Sequence, residues 1–258
     1  MAVLAHDTTP VILIDIGGVL SPDRPPAAAA RWSGRLGISQ QDFMGALFGG
    51  NDEWILIGRT SQEDWWRTVR GRLRISGELP SEIRPDLAAG QRWDAELVAG
   101  LRGLRGAART VIVSNAWPEM RGRLPGSGVL DAVHDVVPSC DAGCAKPDPR
   151  IYAIALEQAA AATPAQALFI DDTEGHVRAA RSLGLAGHVH ADTASTLARI
   201  TAFVRAAPRG EEREPPEAGE SDWRRRARPR SRHRRQPPLP RSASSTMASR
   251  RAWCAPRQ

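Results

Sequence analysis

The chain of 258 residues, 41% of them hydrophobic, is long enough for one folded domain with an insertion or a tail. Its net charge of +6 comes from residues 207–258, which hold 14 arginines against 6 acidic residues, whereas residues 1–206 are close to neutral. There is no apolar run of about 18 residues to predict a membrane span, no secretory signal pattern, and too few cysteines for a disulfide framework, so we expect a cytoplasmic protein.

The first predicted element is a buried strand at residues 11–14, whose sequence Val-Ile-Leu-Ile is apolar throughout. It ends at Asp15 and is followed by Gly17 and Gly18, which favour a tight loop. Strands that are apolar on both faces are typical of parallel sheets covered by helices.

Residues 21–93 have no strong strand pattern and are predicted to be helical. The sequence Ser61-Gln-Glu-Asp64 is a capping box that starts one helix, and apolar residues follow it at helical spacing. Five of the eight tryptophans lie in this segment, at positions 32, 54, 65, 66 and 93. We expect a small helical bundle with most of them in its core and one or two free to line a pocket.

Strand and helix patterns alternate from residue 110 to residue 205. Two more aliphatic runs predict strands, residues 110–113 before Ser114-Asn115 and residues 167–170 before Asp171-Asp172. Amphipathic helices are predicted at residues 150–162, 174–183 and 194–205. This alternation predicts an α/β fold with one parallel sheet, whose carboxyl edge carries the chemistry.

Two further segments have no assigned role. Residues 207–258 are rich in arginine, proline and serine and poor in aliphatic side chains, which predicts a disordered tail. We favour a solvated extension over a nucleic-acid-binding arm, because no aromatic residues interleave the arginines to stack on bases. Cys140 and Cys144, with His134 nearby, lack a second ligand pair, so free thiols are favoured over a zinc site.

A single lysine, Lys146, stands among the 35 basic residues. With the strand-end residues it suits phosphoryl transfer: Asp15 can attack phosphorus to form an acyl-phosphate, and Lys146 can neutralise nucleophile and phosphate as a compact ammonium. The Ser114 hydroxyl and nearby backbone N–H groups can hold phosphate oxygens. Asp15, Asp171 and Asp172 offer the oxygen ligands that Mg²⁺ prefers. Each element alone also occurs as a turn or helix cap, but the ordered set is far more specific.

Four short motifs carry these residues: Ile14-Asp-Ile-Gly-Gly-Val-Leu20, Val113-Ser-Asn115, Lys146-Pro-Asp-Pro-Arg-Ile-Tyr152 and Phe169-Ile-Asp-Asp172. They resemble the motifs of the haloacid dehalogenase superfamily of hydrolases, of subfamily IA type with a helical C1-type cap, over roughly residues 10–206. The resemblance implies a Rossmann-like core at residues 1–20 and 94–206, and a helical cap at residues 21–93 that sets specificity. It also implies a Mg²⁺-dependent phosphatase that acts on a small phosphorylated metabolite, with Ser114, Asn115 and Lys146 binding phosphate.

The main departure from this family lies at Gly17, where its phosphatases usually carry a second aspartate as general acid and base. The Gly17 carbonyl can still bind Mg²⁺, and Gly17 and Gly18 let the backbone approach a phosphate closely. No side chain at this position protonates a leaving group, and loss of a general acid typically costs about 10²–10⁴ in rate. We therefore expect a preference for aryl or acyl phosphates over sugar phosphates.

Gly17 leaves two other functions open. A 2-haloacid dehalogenase needs no general acid because halide departs unaided, but that branch of the superfamily does not use Mg²⁺ and lacks the acid pair Asp171-Asp172. A non-catalytic phosphate- or partner-binding protein needs no acid either, but it has no use for a nucleophile at Asp15.

Two residues near the motifs each have two possible interpretations, a role at the site and a purely structural one. His176 stands where many relatives have asparagine, and we interpret it as a surface residue in the first turn of a helix. Trp117 fits equally well as a wall of the substrate pocket or as packing beneath the cap.

Overall fold

The computed structural model describes residues 9–21, 26–48, 53–75, 82–89 and 92–207. The predicted tail, apart from its first residue, lies outside these ranges.

A sheet of five parallel strands forms the centre of the fold. Its strands are β1 (Val11–Ile14), β2 (Arg109–Ser114), β3 (Asp135–Pro138), β4 (Ala167–Asp171) and β5 (Ala186–Val189). They are ordered β3-β2-β1-β4-β5, which confirms the predicted α/β fold with a parallel sheet. The sequence predicted only β1, β2 and β4. The two missed strands are at the sheet edges and are short, with a proline in β3 and a glycine and a histidine in β5.

Helices account for most of the other described residues. They are α1 (Pro26–Leu36), α2 (Gln40–Phe48), α3 (Glu53–Leu56), α4 (Gln62–Arg72), α5 (Ile83–Ala89), α6 (Ala95–Gly103), α7 (Met120–Arg123), α8 (Ser139–Ala142), α9 (Pro149–Gln158), α10 (Glu174–Ser182) and α11 (Thr193–Ala206). A short 3₁₀ turn, Pro164–Gln166, precedes β4. Within the described ranges, no helix combines the length and the apolar character needed to cross a bilayer.

The sheet is covered on both faces, because side chains alternate along each strand. From β1, Ile12 and Ile14 pack in one apolar cluster with residues of α6 and α11. Val11 and Leu13 pack in a second cluster with residues of α9 and α10. This layering buries β1 and β4 completely and leaves the carboxyl ends of the strands as the place where polar side chains can gather.

Helices α1 to α5, here called the insertion, have an apolar cluster of their own. Trp32, Trp65 and Trp66 are buried in it, as expected for a helical bundle with a tryptophan core. Trp54 is 56% exposed, and Trp93 packs on the sheet's cluster instead. The predicted start of α4 is confirmed, since the side chain of its N-cap residue, Ser61, accepts a hydrogen bond from a backbone N–H in the first turn.

The insertion is connected to the sheet through two neighbouring points of the chain. The Asp94 N–H donates to the carbonyl of Leu20 at 2.9 Å, so the departing and returning segments are hydrogen-bonded to each other. Leu20 belongs to the loop that follows β1, and Asp94 is the N-cap of α6. The insertion therefore begins close to the carboxyl end of the central strand.

Candidate active site

Three predicted site segments meet at the carboxyl edge of the sheet because their strands are neighbours. β1 lies between β2 and β4, so Asp15 stands between Ser114, the last residue of β2, and Asp171, the last residue of β4. The Asp15 N–H continues the pairing with β4 by donating to the Ile170 carbonyl at 3.0 Å. The Ser114 side chain lies beside the Asp15 carboxylate and favours its ionised form.

Lys146 reaches this edge from the segment between α8 and α9. Its Nζ lies 2.8 Å from Asp15 Oδ2 and 2.6 Å from Asp171 Oδ2, and its side chain has no exposed surface. The ammonium is also 5.7 Å from the centroid of the Phe169 ring. A small cation with rotatable donors fits between two carboxylates and a ring, whereas a planar guanidinium needs more room.

The two carboxylates that share Lys146 ionise differently. Burial raises the pKa of Asp15 to about 6, with the nearby negative charge of Asp171 adding to the rise and Lys146 opposing it. Burial also disfavours ionised Asp171, but hydrogen bonds from His176 and Lys146, together with the charge of Lys146, prevail and lower its pKa to about 2. Asp171 is thus the permanent anionic partner of the lysine.

Asp171 and Asp172 are adjacent in sequence, but they differ in whether their carboxylate oxygens are free to bind a ligand. Both oxygens of Asp171 are engaged: Oδ2 by Lys146, and Oδ1 by the Thr173 N–H at 2.9 Å and His176 Nδ1 at 3.0 Å. Asp172 is exposed, and the contact described for its side chain is one from the Thr173 hydroxyl at 3.3 Å. Asp172 is therefore the carboxylate of this pair that is open to a ligand.

A divalent cation suits this group of residues. Asp15, Asp171 and Asp172 each present an oxygen within 4.8 Å of the others. Three carboxylates around a single ammonium leave the cluster negatively charged, and hard oxygen ligands are those that Mg²⁺ prefers. The Gly17 carbonyl accepts no hydrogen bond from the described residues, so it is available as a further oxygen donor.

Gly18 sets the position of Asp172. Its φ of +67° is a left-handed conformation, and a Cβ added there would lie 2.1 Å from Asp172 Oδ2. Only a residue without a side chain lets the loop after β1 and the carboxylate after β4 come this close.

Replacing Gly18 by alanine is expected to push Asp172 away and lower the affinity for Mg²⁺ by about 10–100-fold, the usual effect of disturbing residues that orient metal ligands. Calorimetric titration with Mg²⁺ measures this. Gly37→Ala is the matched control, because Gly37 has a φ of +65° but open space around it. Mg²⁺ binding as tight in Gly18→Ala as in Gly37→Ala would contradict the claim that Gly18 sets the position of Asp172.

Asn115 and His176 have contacts that the sequence did not reveal. Both amide atoms of Asn115 bond to the backbone of Lys146, 31 residues away in the chain. His176 is not the surface residue expected: its ring contacts Asp171, and its carbonyl accepts a hydrogen bond from the Tyr152 hydroxyl at 2.9 Å. The only signal in the sequence was the position of His176, one helical turn after Asp172.

The insertion packs against the segments that follow β2 and β3. Trp117 stacks at a tilt on Trp65 of α4, with ring centroids 5.2 Å apart, and joins the insertion's apolar cluster. Of its two interpretations, packing beneath the insertion is the one observed. Gly58, just after α3, lies so close to the Cys140 carbonyl that an added Cβ would be 2.2 Å from it. The insertion therefore contacts the same edge of the sheet that carries the polar residues.

Comparisons with known proteins agree with this architecture. A family model described as a haloacid dehalogenase-like (HAD-like) hydrolase matches residues 9–184. Similar solved structures include a predicted HAD-like family hydrolase from Porphyromonas gingivalis, 22% identical with a TM-score of 0.61, covering 75% of this chain and 98% of that one. A HAD family enzyme from Bacteroides thetaiotaomicron, in complex with magnesium and inorganic phosphate, is 19% identical with a TM-score of 0.56, covering 71% and 94%.

A third similar structure is the L-2-haloacid dehalogenase from Xanthobacter autotrophicus, 19% identical with a TM-score of 0.52, covering 79% of this chain and 90% of that one. No curated protein sequence matches the chain. Because the identities to these structures are low, the likeness describes the fold, and the chemistry has to be argued from the residues themselves.

Proposed function

This chain belongs to the HAD-like hydrolase family, and we propose that it is a Mg²⁺-dependent phosphatase of a small phosphorylated metabolite, with Asp15 as its nucleophile. The observation that carries the proposal is the arrangement of Lys146 between Asp15 and Asp171, with Asp172 exposed beside them. One ammonium among three carboxylates is suited to a dianionic phosphoryl group bound together with a divalent cation.

The residues that would hold Mg²⁺ are Asp15, Asp172 and the carbonyl of Gly17, with Asp171 beside them in the same cluster. Mg²⁺, when bound there, supplies positive charge that screens the phosphate from the carboxylates and polarises the phosphoryl oxygens. Protein donors occupy both oxygens of Asp171, so its main role is to hold Lys146 in place.

The chain's own residues then account for the two steps of hydrolysis. A carboxylate oxygen of Asp15 attacks phosphorus, a new O–P bond forms, and the ester P–O bond breaks with its electron pair leaving on the alcohol oxygen. Lys146 and the Ser114 hydroxyl lie next to this carboxylate, where they stabilise the charge that develops. Water next attacks phosphorus of the aspartyl-phosphate, which releases phosphate, restores Asp15 and returns a proton to solvent.

The absence of a general acid at Gly17 restricts the substrates. A sugar alkoxide is a poor leaving group and needs a proton, whereas a phenolate or a carboxylate departs without one. We therefore propose aryl or acyl phosphates as the preferred class.

Restoring the acid tests this restriction directly. Gly17→Asp is expected to raise kcat/KM on alkyl phosphates by about 10²-fold, the lower end of what general acid catalysis contributes, with little change on aryl phosphates. Rates on an aryl and an alkyl phosphate, measured with both proteins, give the comparison. No gain on the alkyl ester in a variant that still turns over the aryl ester would contradict the missing-acid account.

A 2-haloacid dehalogenase is the second candidate, because Gly17 is compatible with a leaving group that needs no proton. Asp15 would then attack carbon and displace halide to form an ester. The acidic pair Asp171-Asp172 weighs against this function, since a cluster that is already negative repels a carboxylate substrate in the absence of a metal.

A panel of aryl, acyl and sugar phosphates, together with 2-chloropropionate, separates the candidates when each is assayed with Mg²⁺ and with EDTA. Phosphate release that depends on Mg²⁺ is the expected result. Halide release that persists in EDTA would establish the dehalogenase instead. Thermal stabilisation by inorganic phosphate, without turnover of any compound, would indicate a non-catalytic binding protein.

A further inference from the structure

Both polar atoms of the Asn115 side chain bond to the backbone of Lys146. Its Oδ1 accepts the Lys146 N–H at 2.7 Å, and its Nδ2 donates to the Lys146 carbonyl at 2.9 Å. Two hydrogen bonds between one amide and one residue fix both the position and the orientation of that residue's backbone. One of the two amide N–H groups of Asn115 is therefore committed to Lys146, and a phosphate contact would have to use the other.

Lys146 depends for its placement on these two hydrogen bonds from Asn115, here called the clamp. In the described ranges, its backbone N–H donates to no other residue and its carbonyl accepts from no other residue. The side chain is nevertheless buried, and its Nζ meets two carboxylates at 2.8 and 2.6 Å. A long flexible side chain reaches such a point reproducibly only when its own backbone is held.

Asn115 is itself attached to a rigid part of the fold. It follows β2 directly, and Ser114 is paired in register with Pro138 of β3. The next residue, Ala116, donates its N–H to the buried Ser139 hydroxyl at 3.0 Å. The clamp therefore transmits the position of the central strands to the segment that carries the lysine.

We propose that Asn115 is a positioning residue that acts through Lys146, and that it is not a ligand of the phosphate. The kinetic consequence rests on the proposed phosphatase function, whereas the structural consequence does not. Loss of the clamp releases the Lys146 segment, and the ammonium no longer stays between Asp15 and Asp171.

A double-mutant cycle tests the kinetic consequence. Asn115→Ala is expected to lower kcat/KM by about 10²-fold, as displaced catalytic groups do. In a Lys146→Ala background the same change is expected to cost no more than about twofold, because its partner is already absent. Full additivity of the two losses would overturn the proposal and show that Asn115 acts on the substrate itself.

The lone lysine allows a second test that needs no activity. An amine-acetylating reagent can modify only Lys146 and the N-terminus of this chain, and peptide mass spectrometry separates the two sites. Lys146 is expected to be protected in the wild type and to react about tenfold faster in Asn115→Ala, because two hydrogen bonds that hold its segment are lost. Unchanged protection would overturn the proposal, even if phosphatase activity were never found.

Two more variants distinguish loss of the clamp from a general loss of stability. Ser139→Ala removes the neighbouring bond to Ala116 and leaves the clamp intact, so Lys146 is expected to stay protected. Asn115→Asp keeps the acceptor for the Lys146 N–H but loses the donor, so its labelling rate is expected to lie between those of wild type and Asn115→Ala. Equal exposure of Lys146 in Ser139→Ala and Asn115→Ala would show that loosening of the whole edge, rather than the clamp, controls the lysine.

Discussion

Replacing Asp15 by asparagine is expected to lower kcat on an aryl phosphate by about 10⁴-fold or more, the scale seen when a nucleophile is removed. The amide is nearly the same size as the carboxylate, but it cannot attack phosphorus to form an aspartyl-phosphate. It also leaves Lys146 with Asp171 as its only charged partner among the described residues. Steady-state rates at saturating Mg²⁺ measure the loss.

The matched control is Asp148→Asn. Asp148 caps α9 two residues after Lys146, and asparagine caps helices about as well as aspartate. This variant is expected to retain nearly full activity, which separates the removal of the nucleophile from the removal of any nearby charge. Comparable activity in Asp15→Asn and wild type would show that Asp15 is not the nucleophile.

Replacing Lys146 by arginine is expected to cause the second large loss of activity, although the substitution conserves the positive charge. A guanidinium is wider than an ammonium, and Lys146 has no exposed surface through which a larger head could relax. To fit, it must displace Asp15, Asp171 or the Phe169 ring, and a misplacement of about 1 Å typically costs 10²-fold in rate. We expect kcat/KM to fall by about 10²-fold or more.

Arg178→Lys provides the converse control, since Arg178 is exposed on α10 and paired with Glu174. A basic exchange at that surface is expected to change the rate very little. If Lys146→Arg retained the wild-type rate, the retention of one lysine among the basic residues would have no functional cause.

The sequence predicted the centre of the fold and of the site for a physical reason. β1, β2 and β4 are buried on both faces, so their aliphatic runs are distinctive. Because these three strands are neighbours, the residues that follow them had to come together. The edge strands β3 and β5 bear less of the apolar core and lacked such a pattern.

The remaining features depend on contacts between distant parts of the chain. The clamp from Asn115 to Lys146 and the contact of Trp117 with Trp65 join segments with no shared periodicity. The close approach of Gly18 to Asp172 likewise brings together the loops after two different strands. A pattern along the sequence can mark an amide or a glycine, but not which distant group it meets.

The central claim is that Asp15 becomes phosphorylated during turnover. Acid-quenched samples, taken during reaction with an aryl phosphate and digested, can be searched by mass spectrometry for phosphate on the peptide that contains Asp15. We predict a phosphorylated peptide that appears with Mg²⁺, disappears with EDTA and never forms in Asp15→Asn. Sustained phosphate release with this peptide unmodified at every quench time would contradict the account.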